Sequence, residues 1–213
     1  MEWQSRVRLV DEVAAVLREA IYAARFPPGT RLRQEELAAQ LNISRTPLRE
    51  AMRILERECL VEVEPGRGVR VVSADPVTLL AAYQMREMVD GLAARLAAEH
   101  RDEALPARLR DLIEQQRGAV AEWDPGRYTQ TNVEFHGAIM AAADNQFVTA
   151  QLPLVHMTAR VFAPVAHVDR SRAEMAVQEH VPIADAIAAG DADESERLAR
   201  AHIRQTIASL PAA

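Results

Sequence analysis

The chain has 213 residues, 49% of them hydrophobic, and carries 25 Lys+Arg against 31 Asp+Glu for a formal charge of -6; that length is enough for two small domains with buried cores. A single cysteine, Cys59, excludes an internal disulfide. No apolar stretch approaches the roughly 20 residues that cross a bilayer, and Met1-Glu2-Trp3-Gln4 carries no basic region followed by an apolar core, so the expectation is a cytoplasmic protein with no membrane partner.

The acid excess argues against nucleic acid binding over the whole surface, but the charge is uneven. Residues 1–72 hold 12 Arg and 11 acidic residues, a net +1, whereas residues 73–213 hold 13 Arg and 20 acidic, a net -7. Only the first segment can sit on phosphate. All 25 basic residues are arginine.

From Arg6 to Ala24, Val10, Val13, Leu17 and Ile21 recur at helical spacing, which predicts a first helix with one buried face. Phe26-Pro27-Pro28-Gly29 stops it, because proline lacks the amide donor and restricts the residue before it. A short second helix is expected over Glu35–Leu41, with Asn42 as a left-handed cap. A third begins at Ser44-Arg45-Thr46-Pro47, with Ser44 or Thr46 at its N-cap. Leu60–Glu64 and Val69–Val72 alternate in polarity around Pro65-Gly66-Arg67-Gly68, the pattern of a β-hairpin. Three helices and a hairpin in this order make a winged helix-turn-helix, an arrangement that also occurs without any DNA role.

Residues 73–76 are a short polar link, and beyond them no strand pattern returns. Helices are expected near 76–100, 103–122, 126–143, 146–168, 171–189 and 192–209, with Pro153, Pro164 and Pro182 as points of kinking or division. The fold class is therefore mainly α. A winged helix-turn-helix over residues 1–72 precedes an all-α helical bundle over 77–213.

Arg45 and Arg49 lie four apart on the third helix and point the same way from its amino-terminal turns. A guanidinium can donate two hydrogen bonds to guanine O6 and N7, and Thr46 can add a phosphate or thymine-methyl contact. Arg67 and Arg70 on the hairpin suit a groove edge or a phosphate. The bland alternative is that Arg45 and Arg49 are solvated and paired with Glu50 or Glu56.

In the helical half, Asn132 and His136 share a helix face, and His180 and His202 lie 10 residues before and 12 after Gly190. If Gly190-Asp191 joins antiparallel helices, both histidines sit about 15–18 Å from the turn at ~1.5 Å per residue, at nearly one height. Three imidazoles and an oxygen donor suit a divalent metal ion such as Zn²⁺ or Ni²⁺; isolated histidines are more often ordinary surface or hydrogen-bonded core residues than metal ligands. Arg86 interrupts the apolar stripe Ala82, Val89, Ala93, Ala97 and needs an anion, either Asp90 or the carboxylate of a bound ligand. Arg160, which shares a face with His156 and His167, is a second candidate carboxylate contact or part of a solvated polar face. His100, at a helix end, reads as a surface residue.

Phe26-Pro-Pro-Gly-Thr30, Glu36-Leu-Ala-Ala-Gln-Leu-Asn-Ile-Ser-Arg-Thr-Pro-Leu-Arg-Glu-Ala-Met-Arg-Ile-Leu-Glu56 and Pro65-Gly-Arg-Gly68 closely resemble the GntR family of bacterial repressors. The resemblance implies that Arg45, Thr46 and Arg49 meet bases or adjacent phosphates, and that Gly66, Arg67 and Gly68 form a wing at the minor groove. One departure is Cys59, where the family usually has glycine; cysteine is strained at positive φ, so the third helix is expected to end differently and Cys59 to be a small buried residue. Tyr128-x-x-x-Asn132-x-x-Phe135-His136-x-x-Ile139-x-x-Ala142-Ala143-x-Asn145, then His180 and Ala201-His202-Ile203, look like the FCD domain of the FadR subfamily. That resemblance implies a metal site at Asn132, His136, His180 and His202 and an effector contact at Arg86. The function so implied is a ligand-responsive transcriptional regulator, a homodimer on a short near-palindromic operator in double-stranded DNA, sensing a small organic acid. Two alternatives stay open: a metal-free pocket for a larger acyl ligand, and a metal-dependent hydrolase with a DNA-binding appendage. The hydrolase lacks a convincing general base, since Glu134 is two residues from both Asn132 and His136 and should face away from them.

Overall fold

A computed structural model describes residues 2–64, 67–73, 75–162 and 169–210. The chain divides into two compact units, residues 1–74 together with Arg160–Phe162, and the remainder.

In the first unit α1 (Glu2–Tyr22) packs on α3 (Arg45–Arg57), with α2 (Gln34–Gln40) beside it. The predicted apolar face of α1 is the buried one: Val10, Val13, Leu17 and Ile21, with Ala14, are all nearly solvent-free. They meet Leu48, Ala51, Met52 and Leu55, the i, i+3, i+4, i+7 set of α3. The hairpin strands are β2 (Val61–Glu64) and β3 (Gly68–Val71), antiparallel with Val63 opposite Val69. A further strand, β1 (Arg31–Leu32), pairs with β3, so the sheet order is β1-β3-β2. Two residues are too few to show a period. Gly29, at φ 80, turns the chain into β1, and its amide donates to Val71 O at 3.0 Å.

Asn42 has the expected left-handed backbone, φ 52. Ser44 occupies the N-cap of α3 without a side-chain cap bond. Cys59 departs from expectation twice. Its φ is 57, so α3 ends on a left-handed residue as it would with glycine, the Leu60 amide donating to Leu55 O at 2.9 Å and the Cys59 amide to Glu56 O at 3.0 Å. The side chain is exposed, not buried.

The regular elements of the second unit are all helical: α4 (Pro76–His100), α5 (Leu105–Glu122), α6 (Pro125–Ala142), α7 (Gln146–Thr149), α8 (Leu152–His156) running into a π-helical turn (Met157–Phe162) whose last three residues group with the first unit, α9 (Arg170–Ala189) and α10 (Ala192–Ala208). Five carboxylate or amide side chains start them: Asp75, Asp124, Asn145, Asp169 and Asp191 accept amides of the first turns of α4, α6, α7, α9 and α10. The long helix expected over 146–168 is divided instead, because Asn145 caps a single turn and Pro153 restarts the chain at the head of α8. Pro164 and His167 lie outside the described residues. Pro182 is accommodated inside α9.

The longest packed interface runs between α4 and α10, and α5 lies on α6 and α9. Gly91 makes the first possible: a Cβ there would stand 2.4 Å from Arg200 Cγ. The core is built from α4, α5, α6, α9 and α10, with Ala93, Ala97, Leu109, Phe135 and Ile183 almost fully enclosed. Among the described residues no helix is long and apolar enough to cross a membrane.

Candidate metal centre and DNA-reading helix

His136 on α6, His180 on α9 and His202 on α10 come together in the helical unit, all buried, with one nitrogen of each within 4.8 Å of the others. The Gly190 turn, at φ 72, brings α9 back against α10, so the paired height expected for His180 and His202 is realised. Their ring centroids stand 4.7 Å apart, and that of His136 lies 5.4 Å from His180 and 5.3 Å from His202. Phe135 stacks on His180 at 4.1 Å, closing one side.

Each ring is held through the same atom. His136 Nδ1 is 2.6 Å from Asp90 Oδ1, His180 Nδ1 is 2.7 Å from Gln116 Oε1, and His202 Nδ1 is 2.6 Å from Glu179 Oε2. Carboxylate and amide oxygens only accept, so each Nδ1 carries the proton and each Nε2 offers a lone pair. The Gln116 amide is oriented by its own Nε2, which donates to Thr131 O at 3.1 Å. The two carboxylates are clamped by arginines. Arg86 Nη2 and Nε donate to Asp90 Oδ1 and Oδ2 at 2.9 and 3.1 Å, and Arg172 Nη2 and Nη1 to Glu179 Oε2 and Oε1 at 2.9 and 3.2 Å. His180 Nε2 is buried without a hydrogen-bond partner. Orphaned buried acceptors are rare and call for a ligand.

Burial sets the protonation states. Desolvation, only partly offset by the Asp90 charge, pushes His136 down to about 4. His180 and His202 are lowered for the same first reason. Three neutral imidazoles with hydrogen-bonded Nδ1 atoms are the form in which histidine ligates metal. The residues therefore fit a divalent cation. Asn132 lies one turn before His136 on α6, half-buried. Asp90, His136, His202, Ile139, Met140 and Ile183 line an adjoining cavity with room for about one water.

The two arginines expected at an effector carboxylate are placed differently. Arg86, 3% exposed in its side chain, is paired with Asp90, the partner its i,i+4 spacing allowed. Arg160 sits in the π-helical turn and groups with the first unit. Glu134 is half-buried and bonded to Gln130. Asp90 was read only as a partner of Arg86, and Gln116 and Glu179 went unread in the sequence; of these two only Gln116, an amide among Leu109, Leu112, Ile113 and Ala119, leaves a trace there.

On the first unit, Arg45, Thr46 and Arg49 are exposed at the start of α3. Arg45 Nη1 donates to Glu35 Oε1 of α2 at 3.1 Å, and Arg49 makes no hydrogen bond or ion pair among the described residues. Arg67 and Gly68 form the described part of the wing, exposed, with Gly68 at φ 95; Gly66 lies outside the described residues. Arg70 is committed to the sheet surface through Glu62 and Glu64 at 2.7 and 3.2 Å.

Residues 81–205 match the FCD domain, and residues 9–71 match the bacterial regulatory proteins of the gntR family. The chain is 29% identical over 98% of its length to 90% of a "Probable D-xylose utilization operon transcriptional repressor" of Paenarthrobacter nicotinovorans. It is 31% identical over 84% of its length to 84% of an Nta operon transcriptional regulator of Aminobacter aminovorans. In three dimensions it is similar to Escherichia coli McbR/YncC, with a TM-score of 0.79 at 22% identity over 94% of this chain and 95% of that one. An amino-terminal winged helix with a small antiparallel sheet, followed by a helical domain gathering three histidines, is thus the architecture of a transcriptional regulator rather than an enzyme, and the chain belongs to the GntR family with an FCD domain.

Proposed function

We propose that the protein is a repressor whose helical domain binds a divalent metal ion, Zn²⁺ or Ni²⁺ by donor type, through Asn132, His136, His180 and His202, and senses a small organic acid there. The observation that carries the metal is the buried, unpartnered Nε2 of His180, set among two further imidazoles whose Nδ1 atoms are likewise occupied. Bound there, the cation supplies positive charge and open coordination positions for a carboxylate. The residues keep water scarce, fix three tautomers and hold two anions clamped by arginines.

The DNA-reading surface is Arg45, Thr46 and Arg49 on α3 with Gly66, Arg67 and Gly68 on the wing. A near-palindromic operator calls for two copies. The α4 face supports a homodimer: Ala81, Met85, Met88 and Leu92 recur at spacings of 4, 3 and 4 and are all exposed, Met85 by 50% and Met88 by 54%. Such spacing is the seam of a helix pair. Regulation requires that the organic acid bind the DNA-competent and DNA-incompetent states with different affinity.

Two measurements test this. Elemental analysis of untagged protein after Zn²⁺ or Ni²⁺ loading should give about one metal per chain, and less than a tenth of an equivalent rejects the ligand set. Footprinting on the DNA flanking its own gene should protect a short near-palindrome, and sequence-indifferent binding rejects the repressor.

A further inference from the structure

Arg86 is the buried cation that most resembles a binding site for an acidic ligand, and its surroundings give it other work. Its Nε–Nη2 edge is filled by both oxygens of Asp90, and its Nη1 donates to Thr158 Oγ1 at 3.3 Å. Thr158 is itself tied down, its hydroxyl lying 2.9 Å from Leu154 O. The Asp90 oxygen nearest Arg86 Nη2 is the one that accepts from His136 Nδ1. Side-chain exposures of 3% for Arg86, 4% for Asp90 and 6% for His136 leave the chain of contacts dry. A ligand carboxylate reaching Arg86 would have to displace Asp90 and strand a buried anion.

We infer that Arg86 and Asp90 are a positioning pair for His136, fixing its Nδ1–H tautomer and aiming its Nε2 at the point where the three imidazoles converge, and that Arg86 does not receive the effector. The same device recurs independently at His202, where Arg172 grips Glu179 bidentately and Glu179 accepts from the ring. The two versions share no spacing: Arg86 and Asp90 are four apart on α4, Arg172 and Glu179 seven apart on α9. Arrival at one geometry from two sequence patterns favours a role in orienting the ring. Without an acceptor at Nδ1 the imidazole is free to carry its proton on Nε2, where it blocks ligation.

The inference rests on the metal reading of the site, and its test separates the two. ¹⁵N spectra of histidine-labelled, metal-free wild-type protein should show His136 as the Nδ1–H tautomer, with Nε2–H overturning the inference. Zn²⁺ affinity, measured by competition with a chromophoric chelator, should fall 10–100-fold in Asp90→Leu and at least 10-fold in Arg86→Met. Asp90→Asn, which keeps an accepting oxygen and the volume, should retain the tautomer and recover most of the affinity, and it serves if the leucine variant does not fold. Signals of His180 and His202 should not move in either Asp90 variant. Wild-type protein that binds Zn²⁺ while Asp90→Leu and Arg86→Met bind within twofold of it overturns the pair. Wild-type protein that binds no Zn²⁺ overturns the metal reading, and the tautomer in metal-free protein still decides what Asp90 does.

Discussion

The buried histidines make the metal-free helical unit sensitive to mild acid. The perturbation is a fall from pH 7.5 to 5.5, a window above the range in which most carboxylates titrate. At pH 5.5 an unfolded imidazole with the ordinary value of 6.5 is about nine-tenths protonated, whereas His136, pushed down to about 4 by burial, stays neutral in the folded chain. The unfolded state therefore binds the extra proton. Stability is full above 6.5 and is lost as pH falls toward 4. Linkage gives a loss of about 1 kcal/mol at pH 5.5 and about 3 kcal/mol by pH 4 from His136 alone. His180 and His202 shift in the same direction and add to it. The assay is urea unfolding of chelator-treated protein in a Trp3→Phe background, so that Trp123 fluorescence reports the helical unit. Replacing His136 with Gln should shrink the pH difference by about 1 kcal/mol. Equal or greater stability at pH 5.5 than at 7.5 refutes the reasoning, because imidazoles that accept protons in the folded state cannot be enclosed as described.

Cys59→Gly should stabilise the first unit by about 0.5–1 kcal/mol, since a Cβ at positive φ costs about 1–2 kcal/mol and glycine returns part of that gain as chain entropy; Cys59→Ala, which keeps the Cβ, should not, and equal denaturation midpoints for all three proteins would contradict it. Arg49→Ala should weaken operator binding by about 1–3 kcal/mol in a gel-shift titration if the guanidinium reads a base, and unchanged affinity removes it from the reading set. Met88→Arg should shift the protein from dimer to monomer in light scattering by placing a charge in the α4 seam; a persistent dimer moves the interface elsewhere.

Much of the fold was legible because its signals are local. Val10, Val13, Leu17 and Ile21 mark the buried face of α1 by spacing alone, and the Gly190 turn makes the meeting of His180 with His202 a matter of counting residues. What escaped is non-local or too short. The anchors of the three rings join positions separated by 64 residues for His180 and Gln116 and 23 for His202 and Glu179, and no periodicity spans such distances. Strand β1 has two residues and exists through β3, not through its own pattern. Cys59 misled for an energetic reason: the steric penalty at positive φ was weighed alone, whereas the two backbone hydrogen bonds that close α3 depend on that backbone and outweigh it. Arg86 was read correctly as a cation in need of an anion, and the intrahelical partner is the one seen.

The way the rings are anchored has a thermodynamic consequence. His136 stands on α6 but is held from α4, His180 on α9 but from α5, and His202 on α10 but from α9. A single ion bound to the three would cross-link five helices, so occupancy and the cohesion of the whole bundle become one linked equilibrium: at a hundredfold excess over its dissociation constant the ion adds about 2.7 kcal/mol to the stability of the bundle. By reciprocity, any contact that loosens one helix weakens the ion's hold. In a regulator built this way, an ion bound at the three histidines would act on the stiffness of the helical bundle itself.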